Sequence, residues 1–263
     1  MNPFRLQLGL DLQPLVLAHA SAPTELARAV VNTALTALES GADYVVIEAT
    51  AASESALEVL ATLARERLAI RTSASQALAL AKTLRPAQLC LLDVPDSATL
   101  EALVEQAEHD QIELFYVAQS DSREAVPSAL ASACHGVVID LAGWSQQRGA
   151  ARDAATEMLE QLIDSADQHE HMVYFRGLPS LYCAEAAATI GGVSAIELGT
   201  AIFSTALASG LSHTLHEARE LLTSAQQAGL EIALEQHDHH HADDDDAADH
   251  VHGGHGHCHC HHS

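Results

Sequence analysis

Apolar strands and helices alternate along this chain eight times, and that rhythm limits its fold more than any other feature. "LQLGLDL" (6–12) reads as a strand and "TELARAVVNTALTALES" (24–40) as a helix. "GADYVVIEA" (41–49) is a strand entered through a helix-ending glycine, and "SESALEVLATLAR" (53–65) is its helix. "LAIRT" (68–72), "SQALALAKTLR" (75–85, stopped by Pro86) and "LCLLDV" (89–94) follow. "SATLEALVEQAEH" (97–109) is a helix with Ser97 as its expected N-cap. "IELFYVA" (112–118), a helix near 121–133, "GVVIDLA" (136–142) and a helix near 150–168 continue the pattern. "MVYFRG" (172–177), a helix near 180–189, "AIELG" (195–199) and "TAIFSTALA" (200–208) complete it, before a last amphipathic helix over "SHTLHEARELLTSAQQAGLEIALE".

Continuous apolar strands separated by helices imply a parallel sheet covered on both faces. Eight units in a chain of 263 residues favour a closed (β/α)₈ TIM barrel, an α/β fold, over a doubly wound open sheet. No Gly-x-Gly-x-x-Gly follows the first strand, which argues against the dinucleotide-binding version of the open sheet. Aromatic residues make up only 3% of the chain, so Ala, Leu, Val and Ile must build the core. The barrel is assigned to residues 1–236 and a separate tail to 237–263.

The formal charge is -24, which repels nucleic acid and anionic membranes and sets both aside as partners. No apolar run is long enough to span a bilayer, and the first residues lack the basic start and cleavage site of a signal peptide, so a cytoplasmic protein is expected. Cys90, Cys134 and Cys183 lie far apart in apolar segments and read as buried free thiols.

Reactive groups of such barrels stand at the carboxyl ends of the strands. Here that rim would hold Asp11, Glu48, Arg71, Asp93, Gln119, Asp140, Arg176, Gly199 and Thr200, each ending an apolar run. "ELGTAI" (197–202) leads from strand to helix through a small Gly-Thr turn, whose free N–H groups suit a phosphate; tight packing is the other reading. "FRGLPS" (175–180) offers a similar turn with Arg176 adjacent. Asp11, Glu48, Asp93 and Asp140 could serve as acids and bases, hold a divalent cation, or be plain solvated carboxylates. The single lysine, Lys82, falls in mid-helix, which argues against a Schiff-base aldolase.

Four segments resemble pyridoxine 5'-phosphate synthase. "RTSASQALALAKTLRPAQLCLLDVPD" is similar to that family's third-to-fourth unit, and "SAIELGTAIFSTALASGLSHTLHEARELL" to its eighth unit and closing helix. "LQLGLDLQP" and "SGADYVVIEA" are similar to its first two strands, and the match is collinear over roughly residues 5–225. The resemblance implies an octameric barrel that condenses 1-deoxyxylulose 5-phosphate with 3-amino-1-hydroxyacetone 1-phosphate, using two His and a Glu and no cofactor. Position by position those groups are replaced. The opening Asn, Asp and His fall on Asp11, Gln13 and Pro14. The second-strand His falls on Glu48, with its nearby Arg on Thr50, and the third-strand Glu on Ile70 or Arg71. The seventh-strand His falls on Arg176 or is deleted, and the eighth-unit His on Thr200. Framework residues Gly9, Gly41, Pro86, Gly177, Gly199 and Ala201 remain. The expected catalytic groups are therefore Glu48, Arg176 and Asp11, and the expected phosphate-binding set is Arg71, Gly177, Leu178, Gly199 and Thr200.

Residues 237–263 read HDHHHADDDDAADHVHGGHGHCHCHHS, without apolar periodicity, and are expected to be disordered. Imidazole and thiolate are ligands for Zn, Ni and Cu. The candidate ligands are His237, His239, His240, His241, His250, His252, His255, His257, Cys258, His259, Cys260, His261 and His262. The irregular spacing predicts several adaptable sites; a purification tag is the competing reading. Two functions compete for the whole chain. One is a barrel that binds a phosphorylated small molecule and catalyses a condensation. The other is a non-catalytic metal storage or delivery protein built on an oligomeric barrel.

Overall fold

The computed structural model describes residues 5–19 and 23–244, with side chains described for 5–19 and 25–232. Its strands are β1 (Gln7–Asp11), β2 (Tyr44–Glu48), β3 (Leu68–Thr72), β4 (Gln88–Leu91), β5 (Glu113–Gln119), β6 (Gly136–Asp140), β7 (Met172–Arg176) and β8 (Val193–Leu198). They pair in sequence order, all parallel, and β8 closes on β1. Closure settles the choice between barrel and open sheet. The helices are α1 (Gln13–Ala18), α2 (Pro23–Glu39), α3 (Glu54–Leu63), α4 (Ala74–Leu84), α5 (Ser97–Asp110), α6 (Ala142–Gln146), α7 (Ala150–Asp167), α8 (Leu181–Ala188), α9 (Thr200–Ser209) and α10 (Leu211–Asp244).

Successive side chains of a strand point to opposite faces of its sheet, so every strand feeds two cores. Leu8, Leu10, Val45, Ile47, Leu68, Ile70, Leu89, Leu91, Val137, Ile139, Ile196 and Leu198 point outward and pack under the helices. The alternate positions form a separate cluster of strand residues, the barrel interior: Tyr44, Val46, Ala69, Cys90, Phe115, Val117, Val138, Tyr174 and Ala195. Three aromatics, Tyr44, Phe115 and Tyr174, fill much of this interior; the Phe115 and Tyr174 rings meet at a tilt with centroids 4.6 Å apart. Gly9 makes room for this filling, since a Cβ at that position would stand 2.6 Å from the Tyr44 ring.

The amino-terminal end of the barrel is fastened by α10. Arg219 donates to Asp43 Oδ2 at 2.7 Å, to the Leu6 carbonyl and to the Gly41 carbonyl. The same Asp43 oxygen accepts from the Leu8 amide at 2.7 Å. Further along, Gly229 presses on the backbone of Thr189, where α8 ends.

The structure departs from the sequence reading in four places. No helix forms near 121–133; short turns close there instead, with Leu130 N–H bonded to the Pro127 carbonyl and Cys134 N–H to Leu130. Proline has no N–H to give a helix ladder, which is the local reason. α5 is capped by Asp96, one residue before Ser97; its carboxylate accepts from the Thr99 amide at 2.9 Å. Cys90 and Cys134 are buried free thiols as expected, whereas Cys183 is half-buried. Finally α10 continues through Asp244, into the segment read as tail. Among the described residues no helix is long and apolar enough to cross a membrane.

Candidate functional site

The interior face of the barrel carries the rim residues by strand parity. Asp11 follows Gly9, Arg71 follows Ala69, Asp140 follows Val138, Arg176 follows Tyr174, and Glu197 follows Ala195, each two residues on. Arg71 is fully enclosed, and its Nη2 donates to Asp11 Oδ2 at 2.7 Å and to Glu197 Oε2 at 3.2 Å. Three ionisable groups from β3, β1 and β8 thus meet at the carboxyl end of the barrel. Burial works against the Arg71 charge, but Asp11 and Glu197 outweigh it and hold the guanidinium charged. Burial pushes the Glu197 carboxyl above its ordinary value; Arg71 pulls it down, Asp11 pushes it up again, and Arg176 pulls it down.

A cleft of about 240 Å³ opens beside this trio, between the ends of β7, β8 and β1. Asp11, Gln13, Arg176, Gly177, Leu178, Glu197, Gly199 and Thr200 line it. Gly177 has φ of 77°, and a Cβ there would collide with Asp140 Oδ1 at 2.3 Å. A Cβ at Gly199 would press on the Asp11 carbonyl at 2.9 Å. Glycine at both turns therefore lets strand ends and loops close around the cleft. α9 starts at its wall, and no side chain caps that start. Its first N–H groups lack intrahelical acceptors and point the positive end of the helix dipole outward. Arg176 Nε is 3.6 Å from Asp140 Oδ2, an electrostatic contact too long for a hydrogen bond.

Six of the predicted residues therefore converge on the cleft: Asp11, Arg176, Gly177, Leu178, Gly199 and Thr200. Arg71 supports it from within the barrel, holding Asp11 and Glu197. Glu48 ends β2, half-buried, and does not line the cleft. Gln119 is exposed at the end of β5. Asp93 lies beyond β4, where its carboxylate accepts the Ala74 amide at the start of α4. Of the readings left open for the four carboxylates, a shared cation site does not assemble: Asp93 accepts that amide, Asp11 is held by Arg71 and the Gln13 amide, and Asp140 accepts the Ala142 amide. Among the described residues no group of three or more His, Cys, Asp or Glu side chains is placed to hold a metal ion. Lys82 is exposed on α4, outside the barrel.

Glu197 is the site residue that the rim list passes over. The signal for it was present, since it stands two residues before Gly199 in an apolar strand and so shares its face. A larger groove of about 590 Å³ lies between α3 and α4, but its lining carries Glu54 and Glu58 and no cation, which does not suit an anion.

No protein-family model matches the chain, and no curated protein does. Among solved structures it is similar to tryptophan synthase from M. tuberculosis, at 15% identity and a TM-score of 0.56, covering 85% of this chain and 94% of the other. It is also similar to 3-hexulose-6-phosphate synthase from Salmonella typhimurium, at 12% identity and 0.55, covering 84% and 100%. A dihydropteroate synthetase matches at 14% identity and 0.54, covering 87% and 95%. At these identities the likeness is one of fold, a TIM barrel. The resemblance to pyridoxine 5'-phosphate synthase is overturned here: none of these similar structures is one, and no family model supports it. The four similar segments reflect the shared barrel pattern of apolar strand ends and glycine turns. The octamer rested on that resemblance alone.

The predicted metal ligands His250, His252, His255, His257, Cys258, His259, Cys260, His261 and His262 lie outside the described residues. His237, His239, His240 and His241 fall in the last stretch of α10, where only the backbone is described.

Proposed function

We propose that the barrel binds a small phosphorylated molecule in the cleft between β7, β8 and β1. The phosphate lies against the uncapped start of α9 and Arg176, and the rest of the ligand reaches toward Asp11 and Glu197. The observation that carries this reading is the convergence of one arginine, two glycine turns and a free helix start on one cleft. An acidic protein has little general attraction for anions, so a local device of this kind is what phosphate binding would require. Two of the similar structures are 3-hexulose-6-phosphate synthases, whose name carries a sugar phosphate. A cleft of about 240 Å³ has room for roughly eight water-sized groups, enough for a phosphate and a short polar chain. Carboxyl groups beside that chain suit proton transfer on it. Titration with inorganic phosphate and with three- to six-carbon sugar phosphates tests the reading. Arg176→Ala and Thr200→Asp should each weaken binding by about tenfold or more, the second by placing a negative charge at the helix start. Unchanged affinity in both variants would sink it.

A second reading concerns the tail alone and rests on "HGHCHCHH", which places imidazole and thiolate donors at nearly every position. The tail binds Zn, Ni or Cu at several adaptable sites. Truncation after Asp244 removes Cys258, Cys260 and every histidine from His250 onward, and should abolish most metal uptake while leaving phosphate affinity unchanged. Equal uptake by the truncated chain would refute it.

A further inference from the structure

The trio beneath the cleft has one cation for two acids. Arg71 Nη2 serves both Asp11 and Glu197, and the shorter contact, 2.7 Å against 3.2 Å, goes to Asp11. Glu197 uses only Oε2 in this way; its Oε1 is buried without any hydrogen-bond partner, and although the residue borders the cleft its side chain has no exposed surface. A buried carboxylate oxygen without a donor is costly, whereas a carboxylic acid can turn its O–H toward an acceptor. The groups facing Glu197 are Arg71 from β3, Asp11 from β1, Arg176 and Tyr174 from β7, Tyr44 from β2 and Cys90 from β4. The two tyrosines and the cysteine are themselves raised by burial, so they stay neutral and supply no countercharge. An anion bound at Arg176 draws on the other cation near Glu197 and adds negative charge beside it.

We infer that Glu197 is the proton-carrying group beneath this cleft: it takes up a proton when an anion binds at Arg176. The inference rests on the phosphate-binding reading and adds to it a proton taken up with the anion. The proton comes from the buffer, whose acid form loses it, and no other co-reactant is involved.

The test uses sulfate, a dianion with no proton of its own to exchange near neutral pH, and the full chain. Calorimetric titration in two buffers of different ionisation enthalpy reads proton uptake directly. The wild type should take up close to one proton per sulfate, and its affinity should fall by up to about tenfold per pH unit once free Glu197 ionises. Glu197→Gln keeps a hydrogen-bond donor and should bind sulfate with little uptake and a nearly flat pH profile. Tail histidines are the same in both proteins and cancel in the difference. Infrared difference spectra of wild type with ¹³C-labelled glutamate need no variant: sulfate should bring up a protonated-carboxyl band that shifts with the label. Sulfate binding that depends on Arg176 but brings no such band, or gives equal uptake in Glu197→Gln, overturns the role of Glu197 alone. Sulfate binding indifferent to Arg176→Ala overturns the phosphate cleft and this inference with it.

Discussion

Arg71 reaches Asp11 across the barrel interior, Nη2 to Oδ2 at 2.7 Å, from a position with no exposed side-chain surface. The pair joins β3 to β1, strands separated by β2, and Glu197 completes it from β8. Removing one partner of a buried charge group leaves the others without compensation. Arg71→Met should therefore destabilise the barrel by about 3–5 kcal/mol, measured by urea unfolding followed by circular dichroism. A change within experimental error would mean that the two acids are neutral in the wild type.

Glu197 gives stability a pH dependence of known sign. Its ordinary value is 4.5, and burial raises it in the folded chain. Between those two values the folded protein holds a proton that the unfolded chain has released, so stability falls as pH rises through the window. The contribution is full below about 4.5 and is lost above the folded value. Glu197→Gln should remove this slope, gaining stability relative to wild type as pH rises. Parallel stability curves for the two proteins would contradict the shift.

Tyr44 fills the barrel beneath Gly9, yet its hydroxyl is buried without a partner. A buried hydroxyl left unsatisfied costs about 1–3 kcal/mol. Tyr44→Phe should raise the melting temperature, by an amount corresponding to about 1 kcal/mol. A lower Tm would show that the hydroxyl is satisfied in solution.

Arg219 binds two carbonyls and Asp43 with a side chain that is largely buried. Charged hydrogen bonds of this kind contribute about 1.5–3 kcal/mol each. Arg219→Ala should lower stability by at least about 2 kcal/mol and speed amide exchange along α10. Unchanged exchange in α10 would place its anchorage elsewhere.

The barrel was legible because its signal is repeated: eight apolar strands, most of them separated by helices, leave few alternatives. Strand parity also made the rim legible, since Asp11, Arg176 and Gly199 stand at the ends of strands whose inward positions are every second residue. What strand ends alone do not reveal is which neighbours meet. Glu48 and Arg71 share a register position on β2 and β3, yet Arg71 turns to Asp11 and Glu197, from strands two and three places away around the closed sheet. Asp93 looked like a reactive end of a strand and serves instead as a backbone acceptor for α4. Around Pro127 the spacing of apolar residues suggested a helix, but Val126 and Leu130 are buried by a chain of turns. The likeness to one family rested on features that the fold itself imposes. Glycine turns after strands recur wherever this fold recurs, whatever the chemistry.

The contact of Gly229 with Thr189 fixes where α10 runs: past the foot of β8, at the end of the barrel opposite the cleft. A spectroscopic probe fixed to α10 beside Gly229 would therefore report on the barrel from the face away from the cleft, leaving the path of a diffusing ligand clear.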